Sequence, residues 1–350
     1  MPTLLRVCSR NDPGPFPLTI TTTVCRTMER VRKTIPPGWQ TDAMKKNWSF
    51  VIQHCRPAAM ALFLVAAGSA LAQLPSASSS ESNAAALLGK HAALAPQLAQ
   101  NSYRRPLFLE SAEGDTTVSG DAYAVLESPF SSVSSTFQSP KRWCDVLILH
   151  INTKYCRASA DSSPSKMAVS IGKKTPQQLK DAFSLEFAYR VDAASPDYLA
   201  VQLNADKGPL STSNYRIALE SVPLPDGKTF MHLRYSYSYG TAGRLAMQAY
   251  LATLGRGKVG FTQIGQGNKA AYVGGMRGTV ERNTMRYYLA IEAYLAALGQ
   301  APEQQPTARL QHWFDATEGY SRQLHEVDRK AYLSMKKDEY QRQQTLSAPS

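Results

Sequence analysis

The chain has 350 residues and a mass of 38.4 kDa, of which 43% are hydrophobic and 19% charged. These proportions exclude a collagenous or wholly disordered protein and allow one or two packed domains. The formal net charge is +12, but no basic run interleaved with aromatic residues indicates a nucleic-acid partner.

A secretory signal is the first feature along the chain with a clear meaning. Residues 44–72 contain a basic stretch, a short apolar core and the small residues 70–72 that precede a cleavage site. We predict cleavage after Ala72 and export, to the periplasm in a Gram-negative bacterium and otherwise out of the cell. The apolar core is too short to span a bilayer comfortably, and a retained membrane anchor is the alternative.

Residues 1–43 precede this signal and show no periodic pattern. Because signal sequences normally begin at the initiator methionine, we interpret Met44 as the start of translation and residues 1–43 as untranslated or unstructured. Nine of the 39 Lys and Arg residues and three of the 27 Asp and Glu residues lie before the predicted cleavage site. The mature chain therefore has a net charge of about +6.

Cysteine usage is consistent with export. Cys8, Cys25 and Cys55 precede the predicted cleavage site, so Cys144 and Cys156 are the cysteines of the mature chain. Two cysteines close in the sequence of an exported protein predict one disulfide, with two unlinked thiols as the alternative.

The mature chain begins with a Ser- and Ala-rich stretch over residues 73–101, which we interpret as a flexible leader with a weak helix over residues 84–98. An α+β domain is expected over residues 102–299. Its first elements are a short strand at residues 123–126 and two short helices, at residues 130–137 and 143–149.

The clearest periodic signal lies between residues 183 and 239. Apolar and polar residues alternate over residues 183–191, and the same period of two recurs in three later runs, around residues 199–203, 215–219 and 231–239. Turn sequences rich in Pro, Gly and Asp separate the runs. This pattern predicts an antiparallel meander that is covered on one side.

After residue 240 the apolar period becomes helical. We predict a helix over residues 245–254, a hairpin formed by residues 258–264 and 271–273, and a long helix over residues 279–298 that is a main packing element. Residues 300–350 form a polar, helical tail. The tail either packs back on the domain or presents a face to a partner.

This order, a strand, two short helices, a curved antiparallel meander and a long late helix, resembles the START-like (SRPBCC) helix-grip superfamily over about residues 121–298. The resemblance rests on architecture, since no diagnostic motif of one family is present. It implies an α+β fold in which a curved antiparallel sheet packs on a long C-terminal helix, and an apolar ligand held between them. Residues 240–278 depart from the simplest pattern by inserting a helix and a hairpin.

Aromatic and cationic residues of the meander and the long helix are the candidate ligand contacts, because Tyr offers an apolar surface with a polar tip and Arg can meet an anionic head group. The candidates are Tyr189, Tyr215, Arg216, Arg234, Tyr235, Tyr237, Arg286 and Tyr287. The alternatives are that the tyrosines fill the core and that the arginines lie on the surface or pair with a neighbour such as Glu220 or Glu281.

No catalytic, metal or cofactor motif is evident. The glycine-rich string at residues 255–260 follows a predicted helix and enters a strand, the reverse of the dinucleotide-binding order. No zinc or nucleophile-elbow motif occurs. A noncontiguous hydrolase site remains open, and His150 and His232 are its candidate bases.

The leading hypothesis is an exported, non-catalytic protein that binds an apolar or amphipathic small molecule. The first alternative is an envelope interaction or scaffold protein that recruits a partner through the leader and the tail. The second is a hydrolase whose site is assembled from distant residues. We expect no cofactor, no nucleic-acid partner and no stable membrane span after cleavage.

Overall fold

The computed structural model describes residues 79–159, 165–241, 243–244, 257–265 and 270–345. They belong to one of the two units into which the chain divides, residues 73–350. The predicted secretory signal and the segment before it lie outside the described residues, as does the helix expected over residues 245–254.

An antiparallel sheet of eight strands forms the centre of this unit, in the order β1-β2-β8-β7-β6-β5-β4-β3. The strands are β1 (Leu107–Glu113), β2 (Thr117–Leu126), β3 (Thr153–Ser159), β4 (Ser165–Ile171), β5 (Phe183–Ala194), β6 (Leu199–Lys207), β7 (Thr212–Pro223) and β8 (Thr229–Tyr239). Strands β5 to β8 form the meander that the alternating pattern predicts, and β4 and β3 continue it to the edge of the sheet. Strand β1 extends the sheet beyond β2 and was not predicted.

Two helices, α2 (Phe130–Phe137) and α3 (Pro140–Leu147), connect β2 to β3. Both were predicted from the sequence. Ser139 caps α3 by accepting a hydrogen bond from the backbone N–H of Arg142, and Pro140 occupies the first turn, where its missing N–H costs nothing.

A short hairpin, β9 (Gln263–Ile264) and β10 (Ala271–Tyr272), precedes the long helix α4 (Gly275–Ala296). Helix α4 packs across β1, β2 and β8 on the inner face of the sheet. Gly120 of β2 permits this approach, since a Cβ atom there would lie 2.4 Å from Thr284 Oγ1. The predicted helix-grip arrangement, α+β with a curved antiparallel sheet against a long late helix, is confirmed.

The Ser- and Ala-rich segment interpreted as a flexible leader contains helix α1 (Ser79–Ala99). Its side chains Leu87 and Leu94 are buried in a small apolar cluster with Tyr198 and Phe230 on the outer face of the sheet. The weak helix expected over residues 84–98 is therefore longer and covers that face, because outward-facing positions of the meander supply apolar partners.

The predicted helical tail consists of α5 (Gln305–Glu318), α6 (Ser321–Leu324) and α7 (Arg329–Thr345), and it packs back on the domain. Trp313 and Tyr332 belong to the main core. Trp313 Nε1 donates to the carbonyl of Arg286 at 3.1 Å, and the Tyr332 hydroxyl donates to that of Leu149 at 2.8 Å.

The predicted disulfide is present: Cys144 of α3 is bonded to Cys156 of β3, with their Cα atoms 5.1 Å apart. It joins a helix on the inner side of the sheet to an edge strand. In the part of the chain that the structure describes, no helix has the length and apolarity needed to cross a bilayer.

Candidate ligand-binding cleft

Four of the predicted ligand contacts, Tyr215, Tyr235, Tyr237 and Tyr287, meet between the sheet and α4. The ring centroids of Tyr215 and Tyr237 are 5.3 Å apart, and those of Tyr235 and Tyr287 are also 5.3 Å apart. The period of two brings the three strand tyrosines to the inner face of β7 and β8, where each is at most 8% exposed. Tyr287 reaches them from α4.

The hydroxyl groups of these tyrosines are polar atoms in an otherwise apolar surface. The Tyr215 hydroxyl is 2.8 Å from Thr212 Oγ1, whereas those of Tyr237 and Tyr287 make no hydrogen bond to any residue that the structure describes. Burial raises the pKa values of Tyr235, Tyr237 and Tyr287. These groups are therefore neutral hydroxyls, able to donate and accept hydrogen bonds.

Two residues beside the cluster are partly accessible to solvent. Asn283 and Tyr287 keep part of their surface accessible, although Arg282, Thr284 and Tyr288 on the same helix are buried. Both partly exposed residues lie one turn apart on α4, and Tyr287 faces β8 through Tyr235. We call the group of residues Tyr215, Tyr235, Tyr237, Asn283, Tyr287 and His150 the tyrosine cleft, the candidate place for a ligand.

His150 stacks on Tyr287 with ring centroids 4.8 Å apart. Its Nδ1 accepts a hydrogen bond from the backbone N–H of Asn152 at 3.2 Å, so the neutral ring carries its proton on Nε2. Nε2 is buried and has no hydrogen-bond partner among the described residues. Burial lowers the pKa of His150 well below its ordinary value, and the charges of Arg286, Lys336 and Lys174 add to this effect, whereas an interaction with the side chain of Asn283 opposes it.

A cluster of cations lies at the His150 end of the cleft. Glu326, in the loop after α6, is 2.7 Å from Arg286 Nη2, 2.6 Å from Lys174 Nζ and 3.2 Å from Lys258 Nζ. Burial opposes ionisation of Glu326, but Arg286 and Lys174 hold its pKa below the ordinary value. We call these four residues the Glu326 cluster. Arg286, a predicted ligand contact, belongs to it and is 2% exposed.

Tyr189 lies apart from the tyrosine cleft. It occupies the inner face of β5, two strands away from β7, and its hydroxyl donates to the carbonyl of Phe137 at 2.9 Å. Its side chain fastens α2 to the sheet. Tyr189 is therefore a core residue, which is the alternative that the sequence left open for the tyrosines.

Arg216 and Arg234 point to the outer face of the sheet, away from the cleft. Arg216 donates to Asn204 Oδ1 at 3.0 Å, and Arg234 donates to Asp121 Oδ1 at 3.2 Å. Their separation from the neighbouring tyrosines follows from the alternation of side chains along a strand. Of the three predicted arginines, only Arg286 lies near the cleft.

The outer face carries its own polar network beneath α1. His232 Nε2 is 2.8 Å from Asp121 Oδ1, and Nδ1 is 3.1 Å from Glu220 Oε2. Tyr123 stacks on the same imidazole at 4.3 Å. These residues are cross-strand neighbours on β2, β7 and β8, so the network ties three strands together.

Among the residues that the structure describes, neither candidate hydrolase base has a serine hydroxyl within hydrogen-bond distance. His232 is held between two carboxylates, and His150 has a backbone partner on Nδ1 with none on Nε2. The residues that the structure describes also contain no group of three or more His, Cys, Asp or Glu side chains arranged to hold a metal ion.

Several residues of this region were not selected from the sequence as ligand contacts: Lys174, Lys258, Asn283 and Glu326. None belongs to a periodic run with the others, and they come from a loop, the segment before the hairpin, α4 and the loop after α6. His150 was selected only as a candidate base. The helical spacing of Asn283 and Tyr287 is the one sequence signal that links part of the set.

No family model matches the chain, and no curated protein matches it. Among solved structures, Ara h 8.0201 is 7% identical with a TM-score of 0.31, covering 54% of this chain and 99% of that one. Human StAR-related lipid transfer protein 5 is 11% identical with a TM-score of 0.28, covering 49% and 90%. Norcoclaurine synthase from Thalictrum flavum, in complex with dopamine and hydroxybenzaldehyde, is 10% identical with a TM-score of 0.26, covering 43% and 82%. Similarity at this level carries no functional argument, and the helix-grip description follows from the element order of the chain itself.

Proposed function

We propose that this protein is exported and binds an apolar or amphipathic small molecule in the tyrosine cleft, without catalysing a reaction. One observation carries the proposal. Asn283 and Tyr287 remain partly accessible beside the buried tyrosine rings and beside His150, whose Nε2 makes no hydrogen bond of standard geometry to a described residue. A ligand with an apolar body and one or two polar atoms satisfies both kinds of surface, as small-molecule sites generally require.

Burial of apolar area is the expected driving force. Removing apolar surface from water contributes roughly 25 cal/mol per Å², and tyrosine rings supply that surface on both sides of the cleft. The hydroxyls and His150 then orient the ligand, because leaving a buried donor unsatisfied is unfavourable.

Native mass spectrometry of the protein purified from its own source, followed by solvent extraction, tests the proposal. We expect a molecule bound at one copy per chain. The variant Asn283→Phe places a ring at the accessible side of the cleft and should reduce occupancy, whereas Arg216→Gln on the outer face should leave it unchanged. A chain of simple polypeptide mass that also fails to bind the neutral fluorescent probe N-phenyl-1-naphthylamine contradicts the proposal.

The alternative proposal is that the tail recruits an envelope partner. The surface that would bind this partner lies on α7, away from the tyrosine cleft. A shallow depression on α7 is lined by Arg329, Lys330, Leu333, Ser334 and Lys337, and its three cations favour an acidic partner surface. Under this alternative, Lys330→Glu combined with Lys337→Glu abolishes capture of a partner by the otherwise folded protein. Unchanged capture with this charge-reversed surface argues against it.

A further inference from the structure

We propose that the ligand of the tyrosine cleft carries an anionic head group, which lies against Lys174, Lys258 and Arg286 and accepts a hydrogen bond from His150 Nε2. This inference rests on the proposed function and narrows the ligand to an amphipathic anion. The inference depends on three observations. They are the charge balance of the Glu326 cluster, the position of that cluster beside the cleft, and the hydrogen-bond donor His150 Nε2.

The charge balance of the Glu326 cluster is uneven. Three cationic side chains share one carboxylate, and each has a nitrogen within 3.2 Å of an oxygen of Glu326. Arg286 is 2% exposed, while the side chains of Lys174 and Lys258 are each 27% exposed. A buried cation is unfavourable unless an anion balances it, and Arg286 is the buried one of the three. The formal surplus is two positive charges.

The surplus lies beside the cleft. Arg286 Nη1 is 3.4 Å from Asn283 Oδ1, and Asn283 forms part of the cleft wall. Arg286 also directly precedes Tyr287 in α4. The positive charges of Arg286 and Lys174 help to lower the pKa of His150, and the charge of Arg286 opposes the rise in the pKa of Tyr287 that burial causes. The cleft groups nearest this end therefore experience a positive field.

His150 supplies a donor of the right kind. Its Nδ1 is occupied by the backbone N–H of Asn152, so Nε2 carries the proton. This atom makes no hydrogen bond of standard geometry to a described residue, and the side chain that interacts with the ring, Asn283, belongs to the same cleft. A neutral imidazole N–H donates to a carboxylate, sulfonate or phosphate oxygen without needing a charge of its own. The ring is fixed by its stacking on Tyr287.

The two accessible lysines make this end of the cleft reachable. Lys174 follows β4 and Lys258 lies in the segment before the hairpin, so the two approach Glu326 from different parts of the chain. Burial, together with the charge of Arg286, lowers the pKa of Lys174 to about 8, which leaves it mainly protonated at pH 7. A bound anion would strengthen that protonation.

A purely structural role is the competing explanation, in which Glu326 only fastens the loop after α6 to α4. That role predicts no difference between charged and neutral ligands. The matched probes 1-anilinonaphthalene-8-sulfonate, an anion, and N-phenyl-1-naphthylamine, which has the same aromatic skeleton without the sulfonate, distinguish the two explanations.

We would titrate the full chain and its variants with both probes at low salt. Lys174→Gln should weaken binding of the sulfonate by about three- to tenfold and change binding of the neutral probe less than twofold. Glu326→Gln should tighten sulfonate binding by about the same factor and change binding of the neutral probe less than twofold, whereas partial unfolding would expose apolar surface to both probes. Arg216→Gln, an equal charge change on the outer face, should affect neither probe.

Sulfonate binding that changes by less than twofold in both Lys174→Gln and Glu326→Gln overturns the inference, as does an equal change for both probes. In either case, retained binding of the neutral probe leaves the proposed small-molecule function standing. If neither probe binds the unaltered chain and its native mass is that of the polypeptide, the proposed function fails as well.

Discussion

Lys154 of β3 and Glu339 of α7 form an ion pair inside the protein, with Nζ and Oε1 2.9 Å apart and neither side chain more than 2% exposed. The other carboxylate oxygen of Glu339 is 2.6 Å from Lys336 Nζ. Lys336 also donates to the carbonyls of His150 and Thr153. One carboxylate therefore serves two buried ammonium groups and joins the C-terminal helix to the edge of the sheet.

Removing that carboxylate should be strongly destabilising. We expect Glu339→Gln to lower the free energy of unfolding by about 3 kcal/mol or more, because it leaves two buried cations without a counter-charge. Glu186→Gln is the matched control, since Glu186 pairs with Lys166 at 2.8 Å but both side chains are more than half exposed. The control should cost less than about 1 kcal/mol in urea denaturation. Equal losses of unfolding free energy in the two variants would show that the buried ion pair contributes no more stability than the exposed one.

Deletion of residues 301–350 should destabilise the whole domain. The interaction hypothesis expects a folded domain after this deletion, but the structure places Trp313, Phe314, Tyr332 and Met335 in the main core. We expect a loss of several kcal/mol, since complete burial of such side chains contributes about 1.5 to 3 kcal/mol each. Circular dichroism and denaturation of the truncated chain check this. A cooperative transition at the original midpoint would contradict it.

The stability that His232 contributes should decrease at alkaline pH. Burial opposes the charged ring, but hydrogen bonds to Asp121 and Glu220 raise the pKa of His232 above its ordinary value. A raised folded-state pKa gives stability that is complete below about pH 6.5 and is lost as the pH rises through the folded-state pKa. The difference in unfolding free energy between the unaltered chain and His232→Gln should therefore shrink from pH 6 to pH 9.

His312, which is exposed on α5, provides the control for this titration. Because its side chain is exposed, His312→Gln should change the unfolding free energy by less than about 0.5 kcal/mol. A difference for His232→Gln that grows with pH would mean that the two carboxylates do not stabilise the charged ring.

The two glycines Gly120 and Gly89 should respond in opposite ways to alanine. A Cβ atom at Gly120 would lie 2.4 Å from Thr284 Oγ1, so Gly120→Ala should destabilise the protein by about 1 to 3 kcal/mol. No atom lies within 4 Å of the corresponding position at Gly89 in α1, and Gly89→Ala should stabilise it by about 0.5 to 1 kcal/mol. Thermal denaturation of the two variants measures both effects. A neutral Gly120→Ala would mean that α4 can move away from β2.

The helix-grip architecture was predictable because its elements are encoded locally. Alternation over residues 183–191 specifies both β5 and its buried face, and the helical spacing after residue 279 specifies most of α4. Strand β1 was not predicted, because its alternation is short. The apolar residues Leu107 and Leu109 are followed by a polar end that is partly exposed. Its pairing with β2 decides its conformation.

The candidate site was predictable only in part. The period of two placed Tyr215, Tyr235 and Tyr237 on one face, and the same rule sends Arg216 and Arg234 to the other face. Glu326 and Lys174 come together from segments that are 152 positions apart, a distance over which no sequence period operates.

By itself the sequence determined the meander, the long helix and the pairing of Cys144 with Cys156, because each depends on short-range spacing or on the number of cysteines in the predicted mature chain. Only the tertiary structure decided that the C-terminal helices complete the core, that α1 covers the outer face, and that three cations meet one carboxylate beside a tyrosine-lined cleft. These features arise from packing between distant segments, where burial and charge balance depend on neighbours in space.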